Sequence, residues 1–165
     1  MASFGIREPI LADAEWITQA CQDTEVQRWT LVPRPYKHEN ALGFINNTIN
    51  ESHLWVIEQQ ETNEPVGVIS IHTIDLDTGD ADVGYWIAPW GRRRGAAVHA
   101  LCLVEQFALT IPSIKFLSAH IAETNDASRA TASRAGFTNM GPSAQSCPDG
   151  DNQVPALDYV KQLTR

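Results

Sequence analysis

The sequence predicts a single mixed α/β domain over residues 1–165, with the element order β-α-α-β-β-β-α-β-α-β-β. Its length of 165 residues suits one domain. Its composition, with 43% hydrophobic and 19% charged residues, is that of a globular protein rather than a disordered or fibrous one. Segments with a helical apolar period also alternate with short apolar runs bounded by turn residues, which favours helices packed on a sheet.

The first elements are a short strand and a helix. A strand over Phe4–Arg7 precedes a helix that Asp13 is expected to cap and that runs to about Gln22. Pro33 and Pro35 then exclude a helix from the stretch around them, because proline lacks an amide hydrogen and restricts the residue before it. This stretch is predicted to be an irregular loop.

A second helix and a three-stranded meander follow. The helix is predicted over 39–50, because its apolar residues recur at a period of 3.6: Ala41, Leu42, Phe44, Ile45 and Ile49. The meander is indicated by strand-like runs with turn residues between them, at 54–59, 66–76 and 81–88.

The second half of the chain begins with a Gly/Arg loop at 91–97 that opens a long apolar helix ending near Leu109. A strand, a shorter helix and a final hairpin come next. Their predicted ranges are 116–121 for the strand, 126–135 for the helix, and 138–140 and 156–163 for the hairpin strands, with a long loop at 142–153.

The charge balance and the short apolar stretches argue against two classes of partner, nucleic acids and membranes. Twelve basic against 20 acidic residues give a net charge of −8, the opposite of what a nucleic-acid-binding protein carries. Apolar stretches such as Ala96–Val104, which His99 interrupts, fall far short of the ~20 residues of a membrane span. The first residues carry no secretory signal pattern. We therefore expect a cytoplasmic protein with neither nucleic-acid nor membrane partners.

The cysteines and histidines indicate neither a disulfide framework nor a metal site. Cys21, Cys102 and Cys147 are odd in number and widely spaced, and no C-x-x-C motif occurs, which is typical of a reducing compartment. The five histidines are dispersed, and no pair has the spacing of a zinc-binding helix.

The most informative segment is the loop between the third meander strand and the long helix. The part that matters most is the run Arg92, Arg93, Arg94, Gly95, Ala96 and Ala97. The first amides of a helix lack internal acceptors and carry partial positive charge, and small residues let an anion approach them closely. The loop therefore predicts a pyrophosphate cradle, although an exposed arginine-rich turn is the alternative. It is neither a P-loop nor a dinucleotide fingerprint.

This loop resembles the Q/R-x-x-G-x-G/A signature of the GNAT superfamily of N-acetyltransferases. Downstream, the segment Asn125–Ser128 and the pair Gly136-Phe137 resemble the N-x-x-S…G-F block of its RimJ/RimL-like branch. The strand Ala81–Ile87 is similar to that branch's AEIGYWI strand. The resemblance covers nearly the whole chain, and its motifs occur in the family's order.

The resemblance implies a fold whose central strands splay around acetyl-CoA. The pantetheine arm would pair with backbone of Ile87, Ala88 and Pro89, and Asn125 would bind a pantetheine amide. The pyrophosphate would lie on the amides of Arg92–Ala97. An amine would attack the thioester directly, without a metal or covalent enzyme intermediate. The acceptor is left open between a protein N-terminus and a small-molecule amine, and the assembly between monomer and homodimer. A non-catalytic acyl-CoA-binding module is the alternative function.

Two candidate catalytic residues follow from the resemblance. Asp82 stands where the branch commonly has Glu, and we expect it to take the ammonium proton through water, unless it is a solvated charge beside Asp80. Ser128 matches the serine near the CoA sulfur and is expected to protonate the thiolate, unless it only begins a helix. The tyrosine that other family members carry on this helix is replaced by Ala132.

Four further residues are candidates for acceptor binding. Trp29 and Tyr36 lie in or beside the loop that is expected to flank the acceptor groove, where they either bind the acceptor or anchor the loop. His72 and His120 lie on strands that could face the cleft. Either could assist proton transfer, and each could instead be a structural histidine with satisfied hydrogen bonds.

Overall fold

A computed structural model describes residues 2–165, which form a seven-stranded sheet in the order β1-β2-β3-β4-β5-β7-β6. All neighbouring strands are antiparallel except β4 and β5, which are parallel. The predicted mixed α/β fold class is thereby confirmed. The elements are β1 (Phe4–Arg7), α1 (Asp13–Ala20), α2 (Thr24–Trp29), α3 (His38–Ile45), β2 (His53–Gln59), β3 (Glu64–Asp75), β4 (Asp80–Ile87), α4 (Ala96–Ala108), β5 (Phe116–Ala122), α5 (Asp126–Arg134), β6 (Thr138–Asp149) and β7 (Asn152–Gln162).

The sheet opens at its centre, between β4 and β5. These two strands pair only over Asp80–Asp82 and Phe116–Ser118. Beyond this point β4 stays paired with β3 to Ile87, and β5 stays paired with β7 to Ala122. Each half of the sheet therefore keeps its own partner, and a wedge opens between the ends of the two parallel strands. The splayed strands that the resemblance implied are present.

The core consists of two apolar clusters. Helix α4 packs against the sheet through Leu101 and Val104, in one cluster with Ile69 and Ile71 of β3. Helices α1–α3 form the second cluster, which extends to Trp86 of β4. Because successive side chains of a strand point to opposite faces, Ser70, which lies between these isoleucines, faces the other way. That second face carries the cavity described below.

The region before β2 differs from the prediction in its helices. The stretch before Pro33 contains α2, whose start Asp23 caps by accepting hydrogen bonds from the amides of Glu25 (3.1 Å) and Val26 (3.0 Å). Helix α3 ends at Ile45, earlier than the predicted 50, and Ile49 is 60% exposed. Ile49 fits the helical period of the apolar residues but lies outside the helix, because Asn47 takes a left-handed conformation that ends it.

Two further predictions were wrong in detail. Ala12, not Asp13, occupies the N-cap position of α1. The buried Asp13 carboxylate instead accepts hydrogen bonds from Arg7, the amide of Ile10 and the indole of Trp16, and so ties α1 to β1. The predicted loop at 142–153 is mostly strand, because β6 and β7 continue as one long hairpin to the turn at Gly150.

Within residues 2–165, no helix combines the length and the apolar character needed to cross a bilayer.

Candidate active site

A cavity of about 710 Å³ lies at the wedge between β4 and β5. Its walls come from the α2–α3 segment, from β3, β4 and β5, from the start of α5, and from β6. The cavity brings together seven of the residues that the sequence singled out: Trp29, Tyr36, His72, Asp82, His120, Asn125 and Ser128. The predicted pyrophosphate loop does not line it.

A row of polar side chains crosses three neighbouring strands on the floor of the cavity. Asp82 on β4 places Oδ1 3.7 Å from Nε2 of His120 on β5. The other ring nitrogen of His120, Nδ1, lies 2.6 Å from Oδ1 of Asp158 on β7. His120 and Asp158 are directly paired across the ladder, so the backbone register fixes this contact. Within the short paired segment of β4 and β5, the Ser118 hydroxyl donates a hydrogen bond of 2.7 Å to the Asp80 carboxylate.

A second histidine approaches Asp82 from the opposite side. His72 is the extra residue of a bulge in β3, where the register shifts between Ile71 and Thr73. Its Nδ1 lies 2.6 Å from Oε2 of Glu51, and this hydrogen bond raises the pKa of His72. The ring lies over Gly84, where any Cβ would overlap it. Glycine is therefore needed at this position of β4.

Asp82 lies among these charged groups and is 24% exposed. Burial raises the pKa of its carboxyl, and the neighbouring charges of His120 and His72 act in the opposite direction. A carboxylate with a raised pKa is a better proton acceptor than an ordinary aspartate. This places the candidate base of the sequence analysis in an environment that suits the role.

A hydroxyl pair also lines the cavity, three residues further along β4. The Tyr85 hydroxyl on β4 lies 2.9 Å from Oγ of Ser128, in the first turn of α5. Asn125 caps this helix, and its side-chain oxygen accepts a hydrogen bond of 3.2 Å from the Ser128 amide. Desolvation raises the pKa of Tyr85 to about 12, so its phenol stays protonated and can donate. Sequence reasoning sought such a tyrosine on α5, at Ala132, and missed it on β4.

The two aromatic candidates at the acceptor side differ in their surroundings. Tyr36 is a buried member of the α1–α3 cluster and forms part of the cavity wall from within the core. Trp29 ends α2, its indole donates to Glu25, and the Arg28 guanidinium lies 4.2 Å from the ring centre. Both residues are thus held by protein contacts and still line the cavity.

The predicted pyrophosphate loop forms the start of α4. Gly95 occupies the N-cap position with a left-handed backbone (φ 78°), and no atom lies within 4 Å of where its Cβ would be. The amides of the first helical turn have no intrahelical acceptors. The Arg92 guanidinium contacts Asp23, and Arg94 contacts Gln59 and Glu64, while Arg93 is exposed. Two of the three arginines therefore hold the loop in place, and the amides face open space.

The resemblance implied that the backbone of Ile87, Ala88 and Pro89 pairs with the pantetheine arm. Only part of this backbone is directed toward the wedge. The amide of Ala88 donates to the Val66 carbonyl (2.8 Å), and the Ala88 carbonyl accepts from Gly91 (2.9 Å). Successive residues of a strand direct their backbone groups to opposite sides, so those of Ile87 face the wedge. Pro89 has no amide hydrogen. Ile87 is thus the best-placed of the three for a ligand in the wedge.

Comparison with known proteins identifies the family. A model of the GNAT acetyltransferase domain matches residues 4–138. The chain belongs to this family. It is an acetyltransferase, and acetyl-CoA is the acetyl donor that the family uses. Among residues 2–165, no cluster of three or more histidine, cysteine or acidic side chains is arranged to hold a metal ion.

Individual relatives are distant. An uncharacterized N-acetyltransferase, YoaA of Bacillus subtilis (strain 168), is 25% identical over 134 residues, which cover 78% of this chain and 76% of that protein. The structure of RimL, a ribosomal L7/L12 alpha-N-protein acetyltransferase in complex with coenzyme A, has a TM-score of 0.84 at 19% identity and covers 98% of this chain and 94% of its own. Microcin C7 self-immunity acetyltransferase MccE, in complex with acetyl-CoA and AMP, has a TM-score of 0.84 at 21% identity, covering 97% and 92%. At these identities the two structures establish the shared fold.

Replacing Gly95 by valine is expected to weaken acetyl-CoA binding at least tenfold, about 1.4 kcal/mol. A branched side chain would occupy the open space in front of the α4 amides and strain a left-handed backbone position. Calorimetric titration of the folded variant measures the loss. Gly141→Val is the matched control, because Gly141 also has a positive φ (99°) and open space around its Cβ position but lies on β6. Equal affinities in the two variants would contradict the placement.

Proposed function

We propose that this acetyltransferase transfers the acetyl group from acetyl-CoA to a primary amine of a small molecule, by direct attack of the amine on the thioester. The observation that carries the proposal is the arrangement of the wedge. The Asp82 carboxylate beside His120 lines one part of the cavity, and the hydroxyl pair of Tyr85 and Ser128 lines another. A proton acceptor and a proton donor thus flank one cavity, as amine acetylation requires.

The proposed reaction assigns one step to each of these two parts of the cavity. Asp82 takes a proton from the acceptor ammonium through a water molecule, which leaves a neutral amine that can attack the carbonyl carbon. As the new C–N bond forms and the C–S bond breaks, negative charge develops on sulfur. Ser128, polarised by the Tyr85 phenol, donates a hydrogen bond to that charge. The nitrogen loses its second proton as the amide forms, and the thiolate takes up one proton on the side of Ser128, so the products are an amide and a thiol.

The size of the acceptor is inferred from a contact beside the cavity. Arg28 of α2 forms an ion pair of 2.7 Å with Asp149 at the end of β6, and its carbonyl accepts a hydrogen bond of 2.8 Å from the Gly150 amide. We call this contact, between Arg28 and residues 149–150, the clasp. It joins α2 to the tip of the last hairpin, next to Trp29 and Pro148, which line the cavity. We infer that an extended polypeptide would have to open the clasp, whereas a small amine would not.

The charge of the cavity supports a cationic acceptor. Glu51, Asp82 and Asp158 all lie on or near its floor, and the chain as a whole carries a net charge of −8. An acidic cleft attracts an ammonium ion and raises its local concentration. The similar structures by themselves do not select between acceptor classes, because RimL is a ribosomal L7/L12 alpha-N-protein acetyltransferase and MccE was solved with AMP.

The test is release of free thiol from acetyl-CoA in the presence of a panel of acceptors. The panel contains small monoamines, diamines, amino sugars and amino acid amides, together with peptides that have free N-termini. We expect turnover with at least one small amine and little with the peptides. Turnover with the peptides alone would assign the chain to protein N-termini, and acetyl-CoA binding without turnover on any amine would favour the non-catalytic acyl-CoA-binding module.

The clasp gives this experiment a sharper form. Arg28→Ala removes the ion pair and so loosens the clasp. The ratio of peptide turnover to small-amine turnover is therefore expected to rise. Arg134→Ala is the matched control, because Arg134 is exposed in the last turn of α5, away from the cavity mouth. An unchanged ratio in Arg28→Ala would show that the clasp does not select the acceptor.

Asp82→Asn is expected to slow turnover at neutral pH by a factor of about 10²–10⁴, because an amide cannot accept the ammonium proton. Acetyl-CoA affinity should stay unchanged, and the deficit should shrink at high pH, where more of the amine is already neutral. Asp77→Asn serves as the control, since Asp77 is exposed in the turn between β3 and β4. Wild-type turnover in Asp82→Asn would mean that the carboxylate has no part in the reaction.

Ser128→Ala is expected to lower kcat by about tenfold to a hundredfold while leaving acetyl-CoA affinity nearly intact, because the hydrogen bond strengthens only as charge develops on sulfur. Tyr85→Phe, which removes the neighbouring phenol, should give a loss of the same kind. Steady-state kinetics and thermal melts separate the possibilities. If Ser128→Ala loses affinity and melting temperature together while kcat at saturation is unchanged, then Ser128 is only a helix-start residue.

A further inference from the structure

His120 is held more firmly than a residue that merely lines a cavity. Its Nδ1 lies 2.6 Å from the Asp158 carboxylate, and Ser143 Oγ lies 3.3 Å from the same nitrogen. Its backbone carbonyl accepts a hydrogen bond of 3.4 Å from the Cys147 thiol. The register of β5 and β7 places His120 directly opposite Asp158. The ring is therefore fixed in orientation by β6 and β7 together.

This orientation determines which ring nitrogen can accept a proton. A carboxylate accepts hydrogen bonds and does not donate them, so the short contact with Asp158 keeps the imidazole proton on Nδ1. The unprotonated Nε2 then faces Asp82, 3.7 Å away, at the floor of the acceptor cavity. That distance exceeds a direct hydrogen bond, and a third atom lying to one side of the pair, such as a water oxygen or an amine nitrogen, can be within hydrogen-bond distance of both.

Resting on the proposed function, we propose that His120 is the final proton acceptor of the reaction and that Asp158 is its positioning residue. The proton leaves the acceptor ammonium, passes through Asp82 or its water, and bonds to Nε2 of His120. One N–H bond of the ammonium breaks, and one N–H bond forms on the imidazole. The Asp158 carboxylate stabilises the imidazolium, which later gives the proton to solvent. Sulfur receives its proton separately, on the side of Ser128.

The match of proton affinities supports this route. An aspartate has an ordinary pKa of about 3.9 and a histidine about 6.5, so the imidazole is closer to the alkylammonium it must deprotonate. The groups that face His120 are Asp82 on β4, Asp158 on β7, and Ser143 and Cys147 on β6. Both charged neighbours are acidic.

The experiment measures kcat/KM against pH for one small amine acceptor with wild type, His120→Gln and Asp158→Asn. In His120→Gln we expect a loss of about 10²–10⁴ at neutral pH and a pH profile that differs from that of the wild type. In Asp158→Asn we expect a smaller loss of kcat/KM, because the ring loses the carboxylate that holds its proton on Nδ1. His38→Gln, an exposed histidine on α3, is the matched control and should keep the wild-type profile.

A second measurement does not need turnover. Long-range nitrogen–proton NMR spectra of the histidines should show His120 with its proton on Nδ1 in the wild type and a change in Asp158→Asn. A proton on Nε2 in the wild type would overturn the proposal, as would a wild-type pH profile in His120→Gln with only KM altered. Absence of thiol release from wild type with every amine is a different result, because it refutes the proposed function itself.

Discussion

The short parallel pairing of β4 and β5 is the constraint on which the rest of the structure depends. Only three residues of each strand are in register, Asp80–Asp82 with Phe116–Ser118. The strands stay together at this end and separate beyond it, because each has a fully paired antiparallel neighbour that holds its course. The wedge exposes backbone and side chains of two central strands, which a continuous sheet would have covered. The cavity, the hydroxyl pair and the open backbone of Ile87 all follow from it.

The hairpin of β6 and β7 has two roles in this arrangement. Strand β7 supports β5 along its whole length and so keeps the wedge open on that side. It also places Asp158 beside His120, and the tip of the hairpin reaches Arg28 of α2. Acidic and imidazole groups consequently alternate across the floor of the cavity, from Glu51 through His72, Asp82 and His120 to Asp158. This alternation lets several charged groups share a partly buried site.

Asp23 links α2 to the loop before α4. It caps α2, which carries Trp29 and Arg28 at the acceptor side, and it contacts Arg92 in the loop before α4. Burial alone would raise the pKa of Asp23, but Arg92 and the two capped amides outweigh it, and the pKa lies below its usual range. One ionised side chain thus fixes the position of the acceptor wall relative to the candidate pyrophosphate loop.

The sequence by itself determined the fold class, the family and the acetyl donor, because these depend on local patterns. The helical period predicts α4, and the Gly/Arg loop with the Asn125–Ser128 segment carries the family resemblance within short stretches of chain. The prediction failed where a local signal was misleading. Ile49 continued a helical period that Asn47 ends, and residues 142–153, most of which extend the strands of the last hairpin, were taken for a loop. Tyr85 and Asp158 were missed as partners of Ser128 and His120, since each pair is separated by more than 35 positions in the sequence. Such contacts are decided by strand register and by the divergence of β4 from β5, which arise only when distant segments pack together.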